Sequence, residues 1–226
     1  MFIFRRKPRS VSTSEQNRNE RIARLAKETF DLLIVGGGIT GAAIARDAVL
    51  RGLSVALIEK GDFAFGTSSR SSKLVHGGLR YLKGRHVRLV RESLRERGVL
   101  LKIAPHLVEP APFFLPVYAG GRDGRLKLRL GLTAYDLLAG FGGDIGRHTV
   151  LSREQMLEAE PLLHPEGLQG GFRYFDCVVN DARLTLATVR SATEDGALAL
   201  NYVEATGVQR DGDRVVGVTF REKLGG

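Results

Sequence analysis

The strongest hydrophobic pattern in the chain is a pair of short apolar runs separated by a glycine turn and an alanine-rich segment. Residues 30–35 and 53–58 are mostly apolar and predict two buried strands, and residues 42–51 predict a helix that Gly52 ends. Residues 36–41, Gly-Gly-Gly-Ile-Thr-Gly, form the turn before the helix. The order of strand, glycine turn, helix and strand predicts a dinucleotide-binding βαβ unit.

The glycines of this turn each have a physical reason in such a unit. Gly36 permits the tight turn, Gly38 lets the backbone approach a pyrophosphate, and Gly41 lets the helix pack on the sheet without an intervening side chain. The helix N-terminus presents unpaired N–H groups to phosphate, and Glu59 can accept hydrogen bonds from ribose hydroxyls. The turn alone does not decide between NAD and FAD. The residues that we expect to bind the cofactor here are Gly36, Gly38, Ile39, Thr40, Gly41, Glu59 and Lys60.

Beyond this unit, the spacing of apolar and polar positions predicts further helices and strands. Val90 and Leu94 lie on one apolar stripe of a helix over residues 85–103, and Ser152 with Gln155 has the spacing of a capping box. The other predicted elements are helices over residues 14–28, 126–138 and 181–194 and strands over residues 113–118, 170–175, 198–203 and 215–220, the last two joined by a turn over residues 210–213.

Composition and charge narrow the class of protein. The 226 residues are 43% apolar, which is ordinary for a globular protein with a sizeable core, and no apolar run is long enough to span a bilayer. The formal charge of +9 fits an anionic partner such as a phosphorylated substrate or a membrane surface. No zinc-finger or RNA-binding motif is present, which argues against nucleic acid. The single cysteine, Cys177, excludes an internal disulfide, and the histidines lack the spacing of a metal site.

Residues 61–82, with the sequence GDFAFGTSSRSSKLVHGGLRYL, follow the βαβ unit. This stretch resembles the FAD-dependent glycerol-3-phosphate dehydrogenases, whose sequences contain GTSSRSSKLxHGGLRYL almost without interruption. The resemblance continues more weakly through residues 89–97, 104–107, 174–177 and 181–184, and it covers most of the chain from residue 31 onward. It implies that the cofactor is FAD.

The resemblance also implies roles for individual residues. His76 is expected to be the base that takes the proton of the substrate hydroxyl, Arg80 to bind the substrate phosphate, and Tyr81 to position the polar substrate. The resemblance further implies that the segment between Glu59 and Arg80 runs along the flavin. The residues expected to contact the cofactor in this segment are Thr67, Ser68, Ser69, Ser72, Lys73, Leu74, His76, Gly77 and Gly78.

The implied fold class is α/β: an FAD-binding Rossmann-like βαβ fold with an inserted α+β substrate (cap) domain, truncated at the C-terminus. Members of the family are more than twice as long, and their later sequence supplies further phosphate and flavin contacts, so we expect residues 1–226 alone to bind FAD weakly or not at all and not to turn over glycerol 3-phosphate. The expected organisation is a basic, partly disordered lead over residues 1–29, the first part of the FAD-binding domain over 30–110, a partial cap domain over 111–175, and a return to the FAD-binding domain over 176–226.

The function that the resemblance implies is oxidation of sn-glycerol 3-phosphate to dihydroxyacetone phosphate, with electrons passed through FAD to quinone. Two alternatives stay open: a glycerol-phosphate or amino-acid oxidase of the same fold that uses oxygen, and a non-catalytic FAD-binding fragment. The expected location is the cytoplasm, with peripheral association at the inner face of the cytoplasmic membrane and a homo-oligomer also considered. No nucleic-acid partner and no metal are expected.

Overall fold

The computed structural model describes residues 14–121, 123–140 and 145–224. These residues form two compact units, the first containing the described residues up to Ser69 and those from Asp181 onward, and the second those from Arg70 to Asn180. Two short 3-10 helices lie at Thr67–Ser69 and Leu79–Leu82. In chain order the other elements are α1 (Ser14–Lys27), β1 (Leu32–Val35), α2 (Ile39–Leu50), β2 (Val55–Ile58), β3 (Leu74–Val75), α3 (Val87–Ile103), β4 (Val108–Tyr118), α4 (Arg125–Leu138), β5 (Thr149–Leu151), α5 (Arg153–Ala159), β6 (Leu168–Val179), α6 (Asp181–Glu194), β7 (Leu198–Leu200), β8 (Val203–Asp211) and β9 (Arg214–Glu222).

The first unit is built on a parallel sheet whose strands are hydrogen-bonded in the order β1-β2-β7. Helices α2 and α6 contribute to one core cluster with these strands, and the small alanine side chains of α2 let that helix lie close to the sheet. The buried members of this cluster are Ile34, Ala42, Ala45, Ala48, Val55, Leu57, Val189, Ala192, Ala197 and Ala199. The predicted βαβ unit is therefore present, in the predicted order.

A second core cluster of this unit consists of buried residues of β2, β7 and β8, and α1 and the antiparallel hairpin β8–β9 pack against it. Ile22 and Leu25 of α1 and Phe220 of β9 pack against the buried residues of β2 and β7. Arg18 connects α1 to the hairpin, because its guanidinium donates to Glu222 Oε1 at 2.8 Å. The predicted lead-in helix thus packs on the core as an ordered element over its described residues.

The second unit is an antiparallel sheet in the order β3-β6-β4, with β5 also paired to β6. Strand β6 pairs with β4 from Val179 opposite Val108 to Leu168 opposite Tyr118. Because β3 and β4 both bond to β6, residues on either side of position 110 belong to one sheet. The units consequently divide at 69/70 and 180/181, whereas the sequence predicted divisions at 110/111 and 175/176.

Two strand predictions need correction. Residues 30–35 were expected to form a fully buried strand, but in β1 only Ile34 is buried and Val35 is 60% exposed, because β1 has a single strand neighbour within the described residues. The run 198–203 was expected to pair with residues 215–220, but β7 joins the parallel sheet and β8 is the strand that pairs with β9. Apolarity alone could not separate two consecutive strands with different partners.

Other local predictions are confirmed. The Ser152 Oγ accepts a hydrogen bond from the Gln155 N–H, and the Gln155 Oε1 accepts one from the Ser152 N–H, which is the reciprocal arrangement of a capping box. Among the described residues, no helix has both the length and the apolar character needed to cross a membrane. The glycine-rich residues 141–144 and the basic residues 1–13 lie outside the described residues.

Candidate functional site

The glycine turn of the first unit lines a cavity of 320 Å³ at the N-terminus of α2. Helix α2 begins at Ile39, and the Ser68 Oγ accepts a hydrogen bond from the Ile39 N–H at 2.9 Å. No side chain fits at Gly41, since a Cβ there would lie 2.0 Å from the Gly36 carbonyl oxygen. The predicted cofactor residues that line this cavity are Gly36, Gly38, Ile39, Thr40, Gly41 and Ser68.

Glu59 stands directly behind the same turn. Its Oε2 accepts a hydrogen bond from the Gly37 N–H at 2.7 Å, and its Oε1 accepts one from the Gly61 N–H at 2.8 Å. A carboxylate has about four lone-pair positions, so these two bonds leave acceptor capacity for a ribose hydroxyl. Glu59 therefore holds the shape of the glycine turn, a role that the sequence did not predict, and the ribose role stays a prediction.

Replacing Glu59 by glutamine is expected to weaken FAD binding and to destabilise the turn, each by ~1–3 kcal/mol. One of the two backbone N–H groups would then face an amide NH₂ instead of an acceptor. The FAD dissociation constant and the unfolding midpoint of the FAD-free protein measure the two effects separately. Glu28→Gln is a matched control, because Glu28 forms only an exposed ion pair with Arg24. Unchanged FAD affinity in Glu59→Gln would contradict the cofactor role.

The remaining predicted cofactor residues before the histidine lie in two places. In the first unit, Lys60 and Thr67 are exposed, and Ser69 lies with Thr67 in the short 3-10 helix. In the second unit, Ser72 and Leu74 line a larger cavity. Lys73 has φ of +56°, and its carbonyl oxygen accepts a hydrogen bond from the Val179 N–H. Its backbone therefore bonds to β6 directly before β3 begins.

His76 lies on this larger cavity, which has a volume of 640 Å³ and belongs wholly to the second unit. The imidazole Nδ1 is buried and has no hydrogen-bond partner among the described residues. A buried ring nitrogen without a partner costs free energy, but this atom is shielded from the open cavity, so the rest of the imidazole is what lines the wall. The walls around it are largely apolar and come from four elements. They include Leu79, Leu82, Phe113, Leu115, Leu128, Leu132 and Tyr174.

Arg80 and Tyr81 behave differently from each other. Arg80 is exposed and lines the cavity, and its role in binding the substrate phosphate stays a prediction. Its guanidinium donates to the Tyr81 hydroxyl at 3.2 Å and lies 5.1 Å from the centre of the Tyr81 ring. Tyr81 packs against the core residues Val90, Leu94 and Tyr135, and its hydroxyl and ring contact the Arg80 guanidinium. The geometry thus supports Tyr81 as a group that orients Arg80.

Two lysines that the sequence did not single out line the same cavity. Lys83 and Lys127 both form ion pairs with Asp123, the Lys127 Nζ lying 3.0 Å from Asp123 Oδ1. Hydrogen bonds from Lys83 and then Lys127 hold the pKa of Asp123 below its usual value. Together with Arg80, the three cations exceed the one carboxylate among them, so this part of the cavity favours an anion.

The His-Gly-Gly turn is tightly packed from behind. A Cβ on Gly77 would lie 2.2 Å from Leu94 Cδ2 and 2.4 Å from the Tyr135 hydroxyl oxygen, so no side chain fits there. Gly78 has φ of +73°, in the left-handed region that favours glycine. Packing therefore requires glycine at position 77 and the backbone conformation favours it at position 78, and their role as cofactor contacts stays a prediction.

A buried polar cluster supports this turn, and sequence reasoning missed it. The Gly77 N–H donates to the Tyr135 hydroxyl oxygen at 2.9 Å and to Asp176 Oδ1 at 3.1 Å, and the Tyr135 hydroxyl donates to the Asp176 carboxylate at 2.9 Å. Arg97 Nη1 lies 2.6 Å from Asp176 Oδ1, and both side chains are about 5% exposed or less. Burial, and then the neighbouring Asp176 charge, raise the pKa of Tyr135, so its hydroxyl stays protonated. A signal was present, since Arg97 continues the apolar stripe of Val90 and Leu94 at helical spacing.

No group of three or more histidine, cysteine, aspartate or glutamate side chains able to hold a metal occurs within the described residues. Cys177 is buried, and burial raises the pKa of its thiol, which leaves it protonated and unreactive at neutral pH. The candidate chemistry therefore rests on the glycine-turn cavity and on the His76 cavity.

Comparison with known proteins gives a family match over most of the chain. The family model described as FAD dependent oxidoreductase (DAO) matches residues 31–225. An alpha-glycerophosphate oxidase from Streptococcus pneumoniae is 46% identical over 93% of this chain and 35% of its own length. An aerobic glycerol-3-phosphate dehydrogenase from Staphylococcus haemolyticus is 44% identical over 96% of this chain and 39% of its own length. The chain thus spans little more than a third of the length of these curated relatives.

Solved structures agree with this match. The glycerol-3-phosphate dehydrogenase from Bacillus halodurans, solved in complex with FAD, superimposes with a TM-score of 0.70 at 36% identity, covering 92% of this chain and 33% of that one. An L-alpha-glycerophosphate oxidase from Mycoplasma pneumoniae gives a TM-score of 0.62 at 20% identity, covering 82% and 48% of the two chains, and shows the fold alone. The expected α/β FAD-binding fold is confirmed.

Proposed function

Because the chain belongs to the FAD dependent oxidoreductase family, we propose that it carries the FAD-binding turn and part of the substrate site of an enzyme that oxidises sn-glycerol 3-phosphate to dihydroxyacetone phosphate. The cofactor of this family is FAD, as the motif in residues 61–82 implied. The relatives that are 42–46% identical are named as glycerol-3-phosphate dehydrogenases or alpha-glycerophosphate oxidases, which supports this substrate over an amino acid.

The residues of the glycine turn fit FAD. The absence of side chains at Gly38 and Gly41 lets a pyrophosphate approach the start of α2, where the Ile39 N–H donates to the Ser68 Oγ and the helix dipole favours an anion. The Glu59 carboxylate fixes the turn from behind through the Gly37 N–H. FAD, when bound, supplies a hydride acceptor.

The observation that carries the proposal is the place of His76 on the wall of the larger cavity, which Arg80 also lines. Oxidation of a secondary alcohol requires a base within hydrogen-bond reach of the hydroxyl proton. His76 lines the cavity, and its imidazole can accept that proton. Asp176, which also lines the cavity, is a poor alternative, because its Oδ1 already accepts bonds from Arg97, Tyr135 and Gly77.

The phosphate of the substrate is expected to bind the cationic part of the cavity. The Arg80 guanidinium can bind phosphate oxygens in a bidentate manner. Lys83 and Lys127 can bind the phosphate as well if their ammonium groups leave the Asp123 carboxylate. The apolar walls exclude water around the carbon that loses hydride, which strengthens each of these charge interactions. A phosphorylated small polyol fits this combination better than a neutral substrate does.

Anaerobic mixing of the FAD-bound, full-length protein with glycerol 3-phosphate tests the substrate. We expect loss of the visible flavin absorbance with glycerol 3-phosphate and little change with glycerol, which lacks the phosphate that the cations bind. Glycine is the control for the amino-acid alternative. Reduction by glycine together with no reduction by glycerol 3-phosphate would refute the proposal, and no reduction by either would favour the non-catalytic alternative.

We propose quinone as the electron acceptor and the cytoplasm as the location, with peripheral contact at the membrane. Support comes from exposed leucines on α4, Leu126 and Leu130, which alternate with the basic residues Lys127 and Arg129. The relatives include oxidases as well as dehydrogenases, so oxygen is the competing acceptor. Comparing reoxidation of the reduced protein by a soluble quinone and by oxygen separates the two, and faster reoxidation by oxygen would overturn the quinone proposal.

A further inference from the structure

Within the His76 turn, the Gly77 amide bonds to side chains that are all buried. The Gly77 N–H directs its hydrogen bonds to Tyr135 on α4 and to Asp176 on β6, and Asp176 in turn pairs with Arg97 on α3. Three elements that are distant in the chain therefore meet around one amide, α4 and β6 directly and α3 through Asp176. Together with the pairing of β3 to β6 just before His76, these bonds set the position of the His76 backbone.

The packing around this amide leaves little freedom for the turn. Leu94 and the Tyr135 hydroxyl fill the space beside Gly77 so closely that a Cβ would meet both within 2.4 Å. The Tyr135 ring is buried and lies edge-on to the Tyr174 ring, with centroids 6.2 Å apart. Neither ring can rotate away without opening the core, so the hydroxyl is presented to Gly77 in one geometry.

The hydrogen bonds among Tyr135, Asp176 and Arg97 suit a role in positioning the turn and not a role in proton transfer. The Tyr135 hydroxyl has one proton, which it donates to Asp176, while its oxygen accepts from Gly77. Asp176 is neutralised by Arg97 at 2.6 Å, and its Oδ1 has three donors. A buried ion pair of this kind adds little net stability over an apolar core, but it fixes the geometry of the groups it bonds.

We propose that Tyr135, Asp176 and Arg97 are positioning residues for the oxidation reaction, acting through the Gly77 amide to place the His76 imidazole against the substrate hydroxyl. The inference rests on the proposed function, because His76 must be the base for its position to affect the rate. A displacement of about 1 Å at a catalytic base can cost ~100-fold in rate. The sequence separation of 99 residues between Gly77 and Asp176 makes this effect invisible to local patterns.

Tyr135→Phe in the FAD-bound protein is the primary test, because it removes the hydroxyl and keeps the ring. We expect flavin reduction by glycerol 3-phosphate to slow by ~10- to 100-fold at saturating substrate, with KM changed by less than about twofold. Asp176→Asn is expected to have a larger effect, but it leaves Arg97 buried without its counter-charge and can impair folding. Tyr118→Phe is the matched control: it removes a hydroxyl that donates to the His164 carbonyl oxygen at 3.1 Å, on β4 and outside the cavity, and should leave the rate unchanged.

Two further measurements separate positioning from general destabilisation. In a His76→Gln background, Tyr135→Phe should slow the reaction by less than about twofold, because a residue that acts through His76 has no further effect once His76 is gone. Amide hydrogen exchange of the peptide over residues 74–80 should be ~10-fold faster in Tyr135→Phe and unchanged in Tyr118→Phe, with or without FAD.

Each outcome decides the inference. Wild-type rate in Tyr135→Phe, an equal loss of rate in the His76→Gln background, or unchanged exchange over residues 74–80 would overturn it. Failure of the wild-type protein to reduce its flavin with glycerol 3-phosphate would instead refute the proposed function and with it the catalytic part of this inference. The exchange measurement would then still decide whether the cluster holds the turn.

Discussion

Replacing His76 by glutamine is expected to slow reduction of bound FAD by glycerol 3-phosphate by ~100- to 10,000-fold, the usual contribution of a general base. Glutamine keeps a polar side chain in the cavity but cannot accept a proton at neutral pH. Because His76 lines the larger cavity and not the glycine-turn cavity, FAD content should stay at the wild-type level. Stopped-flow measurement of the visible flavin absorbance under anaerobic conditions gives the rate.

The control for this variant is His106→Gln, since His106 is an exposed histidine of the same unit and does not line the cavity. It should reduce its flavin at the wild-type rate. A His76→Gln protein that reduces flavin at nearly the wild-type rate would show that another group takes the proton. A variant that is slow only because it has lost FAD would show that His76 holds the cofactor and is not the base.

Replacing Gly41 by alanine is expected to abolish tight binding of FAD. The added Cβ would lie 2.0 Å from the Gly36 carbonyl oxygen and 3.3 Å from Ile34 Cγ2, and neither backbone nor strand can move away without shifting α2. Overpacking of this kind costs ~1–3 kcal/mol, and each ~1.4 kcal/mol that falls on the cofactor-binding geometry weakens affinity tenfold. The ratio of bound FAD to protein after purification, and the FAD dissociation constant, measure the effect.

The matched control is Gly98→Ala, because Gly98 lies inside helix α3 and a Cβ there meets no heavy atom within 4 Å. Alanine is a better helix former than glycine, so this variant should bind FAD normally and be more stable by ~0.5–1 kcal/mol. If Gly41→Ala retains full FAD content at unchanged affinity, close packing between the glycine turn and α2 is not what the cofactor requires.

Several parts of this protein could be predicted from short stretches of sequence. The βαβ unit was predictable because buried strands, an alanine-rich helix and a glycine turn each depend on neighbouring residues. The capping box at Ser152 was predictable for the same reason, since its two hydrogen bonds join residues three apart. The His-Gly-Gly turn was found by resemblance to a family, and its role beside the cofactor stays a prediction.

Strand partners were not predictable in the same way. Residues 198–203 are apolar enough for a strand, but the chain divides there into β7, which pairs with β2, and β8, which pairs with β9. The unit boundaries at 69/70 and 180/181 depend on the pairing of both β3 and β4 with β6. Such choices are made by pairing between distant segments, and hydropathy along the chain does not encode the partner.

The sequence by itself determined the family, the cofactor, the glycine turn and the identity of the candidate base, because each is written in contiguous residues whose chemistry is local. Only the tertiary structure decided what surrounds that base. It brought Arg97, Tyr135 and Asp176 from three elements to the Gly77 amide, and it left the His76 Nδ1 buried without a partner among the described residues. The physical reason is that a hydrogen bond depends on distance and angle between atoms, and for residues far apart in the chain these are fixed only when the core has packed.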